Sequence, residues 1–230
     1  MPFPRLVGLK RLDLSHNKFM ELTALPEALW SLAGLAALSL GHCGLRALPQ
    51  EIGALAGLRY LDLSHNDELT ALPAGLCLLA GLKELDLGHC GLRALPVGIG
   101  ALAGLRFLDL DANEGLTALP AGLCSLVGLE ELDLEGCGLR ALPEGIGALA
   151  GLRVLDLRDN EELTALPAGA GRLSNLDELD LRDCPGLAHL EDLQAREGLT
   201  ALLARLRGTA EQRRRRGRRH VMCPNRNGDL

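Results

Sequence analysis

The chain is built from a repeated unit of 47 residues, which is clearest in residues 58–104 and 105–151. Each unit contains two shorter segments, one with the pattern LDLxxN and one with LDLxxC. Aligned on LxxLxL, eight segments begin at Leu9, Leu35, Leu58, Leu82, Leu105, Leu129, Leu152 and Leu176. A segment of this length cannot bury an apolar face by itself, whereas stacked copies share one continuous core. The sequence therefore predicts a solenoid of about eight repeats.

Each repeat contains signals for a strand followed by a short helical turn. In LxxLxL the leucines at the fourth and sixth positions, such as Leu61 and Leu63, point to one side of a strand, and the third and fifth residues point to the other side. The following LPxxIG segment puts a proline, with its fixed φ and missing N–H, where a helical turn can begin. We therefore predict an α/β fold, with a curved parallel sheet on the concave face and short helical or 3₁₀ turns on the convex face.

The full consensus, LxxLxLxx(N/C)xLxxLPxxIGxLxGL, resembles the leucine-rich repeat family. Its repeat length of 23–24 residues and its LPxxIGxL ending are similar to those of the intracellular Ras-group-related members, and the resemblance covers about residues 4–198. The resemblance implies a non-catalytic scaffold that recognises a partner protein on the concave face, in intracellular signalling.

The sequence divides into three parts. We assign residues 1–198 to the solenoid, and residues 199–208 to a capping helix, because Leu199, Leu202, Leu203 and Leu206 share one helical face. Residues 209–230 are expected to be a disordered, Arg-rich tail. The solenoid contains 15 Lys and Arg against 28 Asp and Glu, whereas residues 199–230 contain 9 against 2, so an acidic body precedes a basic tail.

The acidic residues of the body concentrate on the exposed side of the strands. Seven of the eight repeats have Asp at the fifth position, and two of the five aromatic residues stand at the third. Exposed aromatic rings anchor many interfaces, and carboxylates attract basic partners. We predict a partner protein with a basic surface, bound by Tyr60, Asp62, Glu84, Asp86, Phe107, Asp109, Glu131, Asp133, Val154, Asp156, Glu178 and Asp180. The alternative, that LDLS is simply the usual form of such repeats and has no binding role, stays open.

Histidine and cysteine form two further columns. His16, His42, His65 and His89 occupy the eighth position, and Cys43, Cys90, Cys137 and Cys184 alternate with Asn at the ninth. Stacked imidazoles could hold a metal or respond to pH, but the repeat sets their spacing, not a tetrahedral ion. Cysteines two repeats apart are about 10 Å from each other, too far for a shared zinc or a disulfide. We predict no metal and no cofactor.

The remaining signals bear on catalysis, location and the tail. No GxxxxGK[ST] segment or nucleophile–base geometry is present, so we predict that the chain is not an enzyme and binds no small-molecule substrate. The sequence contains no run of 18 apolar residues, so we predict no membrane span. The isolated cysteines and the lack of a signal peptide favour an intracellular, cytoplasmic protein. An alternative function is a regulatory or nuclear adaptor that works through Arg213, Arg214, Arg215, Arg216, Arg218 and Arg219. The acidic body and the lack of stacking aromatics in the tail argue against nucleic acid.

Overall fold

The computed structural model describes residues 8–17 and 26–208, and within them eight short strands form one parallel sheet. The strands lie side by side in chain order, each aligned residue by residue with the next. They are β1 (Arg11–Asp13), β2 (Ala37–Ser39), β3 (Tyr60–Asp62), β4 (Glu84–Asp86), β5 (Phe107–Asp109), β6 (Glu131–Asp133), β7 (Val154–Asp156) and β8 (Glu178–Asp180). The predicted α/β solenoid of eight repeats is confirmed.

A 3₁₀ turn follows each strand from the second repeat onward, and another precedes β2. The segments are Glu27–Ser31, Gln50–Ala54, Ala74–Leu78, Val97–Ala101, Ala121–Ser125, Glu144–Ala148, Ala168–Arg172 and Pro185–Leu187. In the first seven segments the proline stands just before the turn, not inside it, and its carbonyl accepts the first turn hydrogen bond, as from Ile99 N to Pro96 O at 3.0 Å. The predicted role of proline in starting the turn is therefore correct, but its position is one residue earlier.

Leucine fills the space between the sheet and the turns. Within each strand of the complete repeats the middle leucine is buried, while the residues on either side are exposed or half-buried. Ile52, Ile99 and Ile146 of the turns are fully buried against the same core. Because every copy presents the same apolar shape to its neighbours, one continuous core runs through the stack.

Glycine allows adjacent turns to approach closely. A Cβ atom at Gly147 would lie 2.0 Å from the carbonyl oxygen of Gly169, and one at Gly169 would lie 2.2 Å from that of Glu144. Both obstacles are backbone atoms, so the space cannot be opened by turning a side chain. The spacing between these two turns therefore depends on the absence of a side chain at both positions.

Asparagine and cysteine alternate at the ninth position and bind one row of backbone carbonyls. Asn113 is fully buried, and its Nδ2 donates to Leu110 O of its own repeat at 2.8 Å and to Leu87 O of the preceding repeat at 2.9 Å. Its Oδ1 accepts from Leu92 N, also in the preceding repeat, at 3.0 Å. Cys137 needs only to donate its Sγ–H to Leu110 O at 3.3 Å. One Asn thus satisfies two turns, which explains why the repeating unit contains two segments.

Two helices follow β8: α1 (Ala188–Glu197) and α2, whose described part is residues 199–208. Gln194 Nε2 of α1 donates to Leu179 O at the open edge of β8, at 2.8 Å. In α2, Leu202, Leu203 and Leu206 are buried in the core. We propose that the two helices together cap the solenoid, although the sequence led us to expect only the second. The predicted disordered tail, residues 209–230, lies outside the described residues.

Candidate functional site

The exposed side of the sheet, which we call the strand face, consists of two parallel columns of side chains. The third-position column runs through Tyr60, Glu84, Phe107, Glu131, Val154 and Glu178, each aligned with the next. The fifth-position column, here the aspartate column, runs through Asp62, Asp86, Asp109, Asp133, Asp156 and Asp180. All twelve residues that the sequence selected therefore lie on one face.

Each aspartate of the column has a structural task. Its Oδ1 accepts a hydrogen bond from the backbone N–H two residues later, as from Gly88 N to Asp86 at 3.0 Å and from Glu135 N to Asp133 at 2.9 Å. This bond fixes the turn at the end of the strand and accounts for Asp at this position without any partner. It leaves the second carboxylate oxygen free for other contacts.

The central aspartates hold their protons more tightly than usual. Burial, followed by the charges of neighbouring carboxylates, raises the pKa of Asp133 to about 6. Burial is also the main cause of the raised pKa of Asp86 and of Asp109. The pKa of Asp180 is instead lowered, first by its hydrogen bond from Arg182. Positive charge therefore compensates the aspartate at the end of the column but not the aspartates in its middle.

Two arginines provide that compensation in the last two repeats. Arg158 donates its Nε to Asp156 Oδ2 at 2.8 Å, forms an ion pair with Glu135, and lies 3.7 Å from Asp180 Oδ2. Arg182 donates its Nε to Asp180 Oδ1 at 2.9 Å. The oxygens of Asp133, Glu135 and Asp156 lie within 4.8 Å of one another, but the Arg158 guanidinium already supplies a cation there, and we propose no metal at this cluster.

Acids at the edge of the face are already paired with arginines. Glu130, in the sixth repeat, forms an ion pair with Arg106. Asp177, in the eighth repeat, pairs with Arg153 at 2.8 Å. The unpaired acids instead lie in the middle: across the described residues, no Lys or Arg forms an ion pair with Glu84, Asp86, Asp109, Glu131 or Asp133. The seventh residue of each repeat, where Arg158 and Arg182 stand, is the sequence signal that distinguishes the two regions.

A shallow depression of about 230 Å³ lies over β3 to β6. Tyr60 and Phe107 stand on either side of Glu84 in the third-position column. Asp86 and Asp109 line the adjoining side, with Leu85 and Leu108 beneath. Aromatic surface and carboxylates thus meet at a part of the face where no Lys or Arg of the described residues forms an ion pair with the acids.

The four histidines form a continuous stack beside the strand face. Successive ring centroids are 4.5, 4.0 and 4.4 Å apart, with interplanar angles of 16°, 10° and 9°. The backbone at the eighth position has a positive φ in all eight repeats, from 50° at Ala112 to 61° at His16, so the shared turn sets the side-chain direction. Burial, followed by the neighbouring histidines, lowers the pKa of His42. Because parallel rings point their nitrogen lone pairs along parallel lines, the stack does not converge on one ion.

The thiols of the ninth-position column are buried and hydrogen-bonded. Cys43, Cys90, Cys137 and Cys184 are free, and each donates to a leucine carbonyl. Burial raises the pKa of Cys90 and of Cys137 to about 12, which disfavours the reactive thiolate.

The remaining observations concern the predicted basic tail, Trp30 and membrane spans. The six arginines of the predicted basic tail lie outside the described residues. Trp30 lies in the turn Glu27–Ser31, at the position that Cys77 and Cys124 occupy in later turns, and its side chain packs in the core and is only 8% exposed. No helix in the described ranges combines the length and the hydropathy needed to cross a membrane.

Comparison with solved structures finds the same architecture in bacterial and plant proteins. A leucine-rich repeat protein of Leptospira interrogans is 29% identical, with a TM-score of 0.53, over 79% of this chain and 56% of its own. The leucine-rich repeat domain of the type III effector XopL is 27% identical, with a TM-score of 0.59, over 78% of this chain and 69% of its own.

A third structure includes a bound partner. The leucine-rich repeat ectodomain of the plant membrane receptor kinase GASSHO1/SCHENGEN3 from Arabidopsis thaliana, solved in complex with CASPARIAN STRIP INTEGRITY FACTOR 2, is 32% identical, with a TM-score of 0.59. The match covers 69% of this chain and 19% of that one. A search of curated protein sequences finds no match.

Family models match almost the whole repeat array. The model described as "Leucine-rich repeat region" covers residues 85–216, more than half of the chain. Two further models, "Leucine rich repeat" and "Leucine Rich Repeat", cover residues 33–92 and 8–32. These models describe the repeat in general, so the Ras-group subtype stays a prediction. With the eight aligned strands, they establish that the chain belongs to the leucine-rich repeat family.

Proposed function

We propose that this chain is a non-catalytic recognition module whose strand face binds a partner protein with a basic surface. Leucine-rich repeat domains are generally protein-interaction modules, and the plant ectodomain was solved with its partner bound. The observation that carries the proposal is the group of unpaired acids on β4 to β6, beside Tyr60 and Phe107. We further propose an intracellular role in signalling, as the Ras-group resemblance implies.

The physical argument is that these acids are unfavourable in the free protein and favourable in a complex. Neighbouring carboxylates about 5 Å apart repel each other, more strongly where water is excluded. A basic partner would remove this repulsion and would also be attracted from a distance, which speeds association. The exposed rings would add buried apolar contact, which usually dominates the strength of an interface.

The test compares variants of the two sides of the solenoid against a captured partner. Tyr60→Ala/Phe107→Ala should weaken binding by about 30- to 700-fold, because each of the two anchor truncations costs about 1–2 kcal/mol. Glu131→Lys should mainly slow association and flatten its salt dependence, whereas Glu51→Lys, on an exposed turn, makes the same charge change on the other side and should have little effect. Normal binding by both strand-face variants, with loss in Glu51→Lys, would place the partner on the turns and refute the proposal.

The tail hypothesis is tested with the same partner. Residues 1–208 should bind as tightly as the full chain if the strand face is the working surface. Loss of binding on removal of residues 209–230 would favour an adaptor that works through Arg213–Arg219.

A further inference from the structure

One guanidinium group of the chain itself, that of Arg158, already binds carboxylates of the strand face. Arg158 lies across the aspartate column and contacts Asp156 and Glu135, with Asp180 at 3.7 Å. A planar guanidinium presents several N–H donors in a fixed arrangement, so one group can serve carboxylates of successive repeats. The spacing of the column therefore already suits arginine in the seventh and eighth repeats.

The same column has no such group over β4 and β5. The residues that correspond to Arg158 are Gly88 and Asp111. Neither can supply positive charge, and Asp111 adds a carboxylate, which His89 Nε2 approaches to 3.3 Å. Asp86 and Asp109 each accept one hydrogen bond from the backbone at Oδ1, and the carboxyl of Asp109 also interacts with that of Asp111. The second carboxylate oxygen of Asp86 keeps its full acceptor capacity. The acceptors are in place, and a matching donor is missing among the described residues.

The depression above these acids adds a feature that selects among cations. Tyr60 and Phe107 border it, and both rings are only partly exposed. The ring of Phe107 already has the guanidinium carbon of Arg106 at 5.9 Å from its centroid, which shows that a cation can occupy this environment. Guanidinium stacks on aromatic faces and is more weakly hydrated than an ammonium group, so arginine suits this mixed site better than lysine.

We propose that the depression between Tyr60 and Phe107 is a pocket for one arginine side chain of the partner. Its guanidinium group binds the carboxylates of Asp86 and Asp109, as Arg158 binds those of Asp156 and Glu135, while its methylene chain and flat face lie against the two rings. This inference rests on the proposed function, because it assumes that the partner occupies the strand face. It narrows the partner to a protein with an exposed arginine at the centre of its contact surface.

The test uses a defined probe, the tripeptide acetyl-Gly-Arg-Gly-amide, titrated into the isotope-labelled full chain at low salt and followed by NMR. Shifts should concentrate on residues of β3 to β5 and saturate in the millimolar range. The same peptide with citrulline, which has nearly the same shape without the charge, should bind at least 10-fold more weakly, and the lysine peptide about 3-fold more weakly.

Protein variants locate the contact. Asp86→Asn/Asp109→Asn keeps the Oδ1 acceptors of the turns but removes both charges. This variant should bind the arginine peptide about 10-fold more weakly. Phe107→Ala should bind the arginine peptide about 3-fold more weakly. Glu178→Gln, which removes one charge from the exposed end of the same face, serves as the control and should bind normally. Unchanged spectra elsewhere in the molecule would show that each variant is folded.

The inference is overturned if the citrulline peptide binds as well as the arginine peptide, if the shifts spread over the acidic surface, or if Asp86→Asn/Asp109→Asn binds normally. These results leave the proposed function standing when a captured partner still depends on the strand face. If the tripeptide binds as expected but the partner depends on the turn side, the proposed function is wrong instead, and with it the assignment of this pocket to the partner.

Discussion

Replacement of Asn113 by alanine should destabilise the protein far more than replacement of the neighbouring Cys137. Asn113 is fully buried and bonds to its own repeat and to the preceding one. In Asn113→Ala, Leu87 O and Leu92 N lose their hydrogen-bond partner inside the core. In Cys137→Ala, Leu110 O still accepts from Asn113 at 2.8 Å.

The magnitude follows from the number of buried groups that are left without a partner. Each unsatisfied buried backbone group costs about 1–3 kcal/mol. Asn113→Ala leaves two such groups without a partner, so the free energy of unfolding should fall by about 4 kcal/mol. Cys137→Ala loses one weak S–H bond and a small buried volume, for about 1 kcal/mol. For a domain of this size, 4 kcal/mol lowers Tm by about 8–16 °C.

The assay is urea unfolding followed by circular dichroism, with thermal unfolding in parallel. A lower midpoint with an unchanged m-value is expected, and a reduced m-value would mean that the repeats unfold separately. Asn175→Ala is the control, because Asn175 Nδ2 donates to Ala150 O at an exposed site, and this change should cost less than 1 kcal/mol. If Asn113→Ala cost no more than Cys137→Ala, the account of one Asn satisfying two turns would be wrong.

Three further predictions concern packing, charge and thiol reactivity. Gly147→Ala should lower the free energy of unfolding by about 2–3 kcal/mol in urea titrations, because its Cβ would meet a backbone oxygen at 2.0 Å, whereas Gly145→Ala would meet only a side-chain sulfur at 3.2 Å and should cost much less. Asp133 has a folded-state pKa of about 6 against an ordinary 3.8, so its contribution to stability is fully present below pH 3.8 and is lost as the pH rises through 6. Asp133→Asn should therefore raise Tm at pH 7.5 by about 2–4 °C, equivalent to about 1 kcal/mol after solvent screening, and much less at pH 4. Cys137, which is 2% exposed, should react with a thiol reagent in the native state at least 10-fold more slowly than the half-buried Cys124.

Each of these three has a clear contrary result. Equal destabilisation by the two glycine variants would mean that the turns can separate without cost. A stabilisation by Asp133→Asn that persisted unchanged at pH 4 would have a cause other than charge repulsion. Reaction of the two thiols at equal rates would show that the sixth repeat opens easily.

The repeated pattern was sufficient to predict the strands, the core and the membership of the strand face. A strand has a period of two, so the exposure of Tyr60 and the burial of Leu61 follow from their positions. The period of the repeat then aligns equivalent residues from copy to copy, which places the aspartate column in register. These features depend only on backbone geometry and on the separation of apolar from polar side chains.

Other features depend on contacts that the sequence pattern does not define. Helix α1 was not predicted because the eighth repeat loses its LP segment, although Leu187, Leu190 and Leu193 recur at intervals of three. The partners of Arg158 could not be assigned, because a long side chain can reach carboxylates in several repeats. The burial of Trp30 does not follow from the repeat pattern for a related reason: its sequence position matches that of Cys77, but a large ring packs differently from a small thiol at an equivalent site.

The position of the partner on the solenoid is tested most directly by site-specific photo-crosslinking in the native cell. A photoreactive phenylalanine analogue is placed either at Tyr60, on the strand face, or at Val97, which is 85% exposed on the turn side. The account predicts that the analogue at Tyr60 crosslinks the protein captured by the unmodified chain, and that the analogue at Val97 does not. Crosslinking of that protein from Val97 alone would contradict recognition by the strand face.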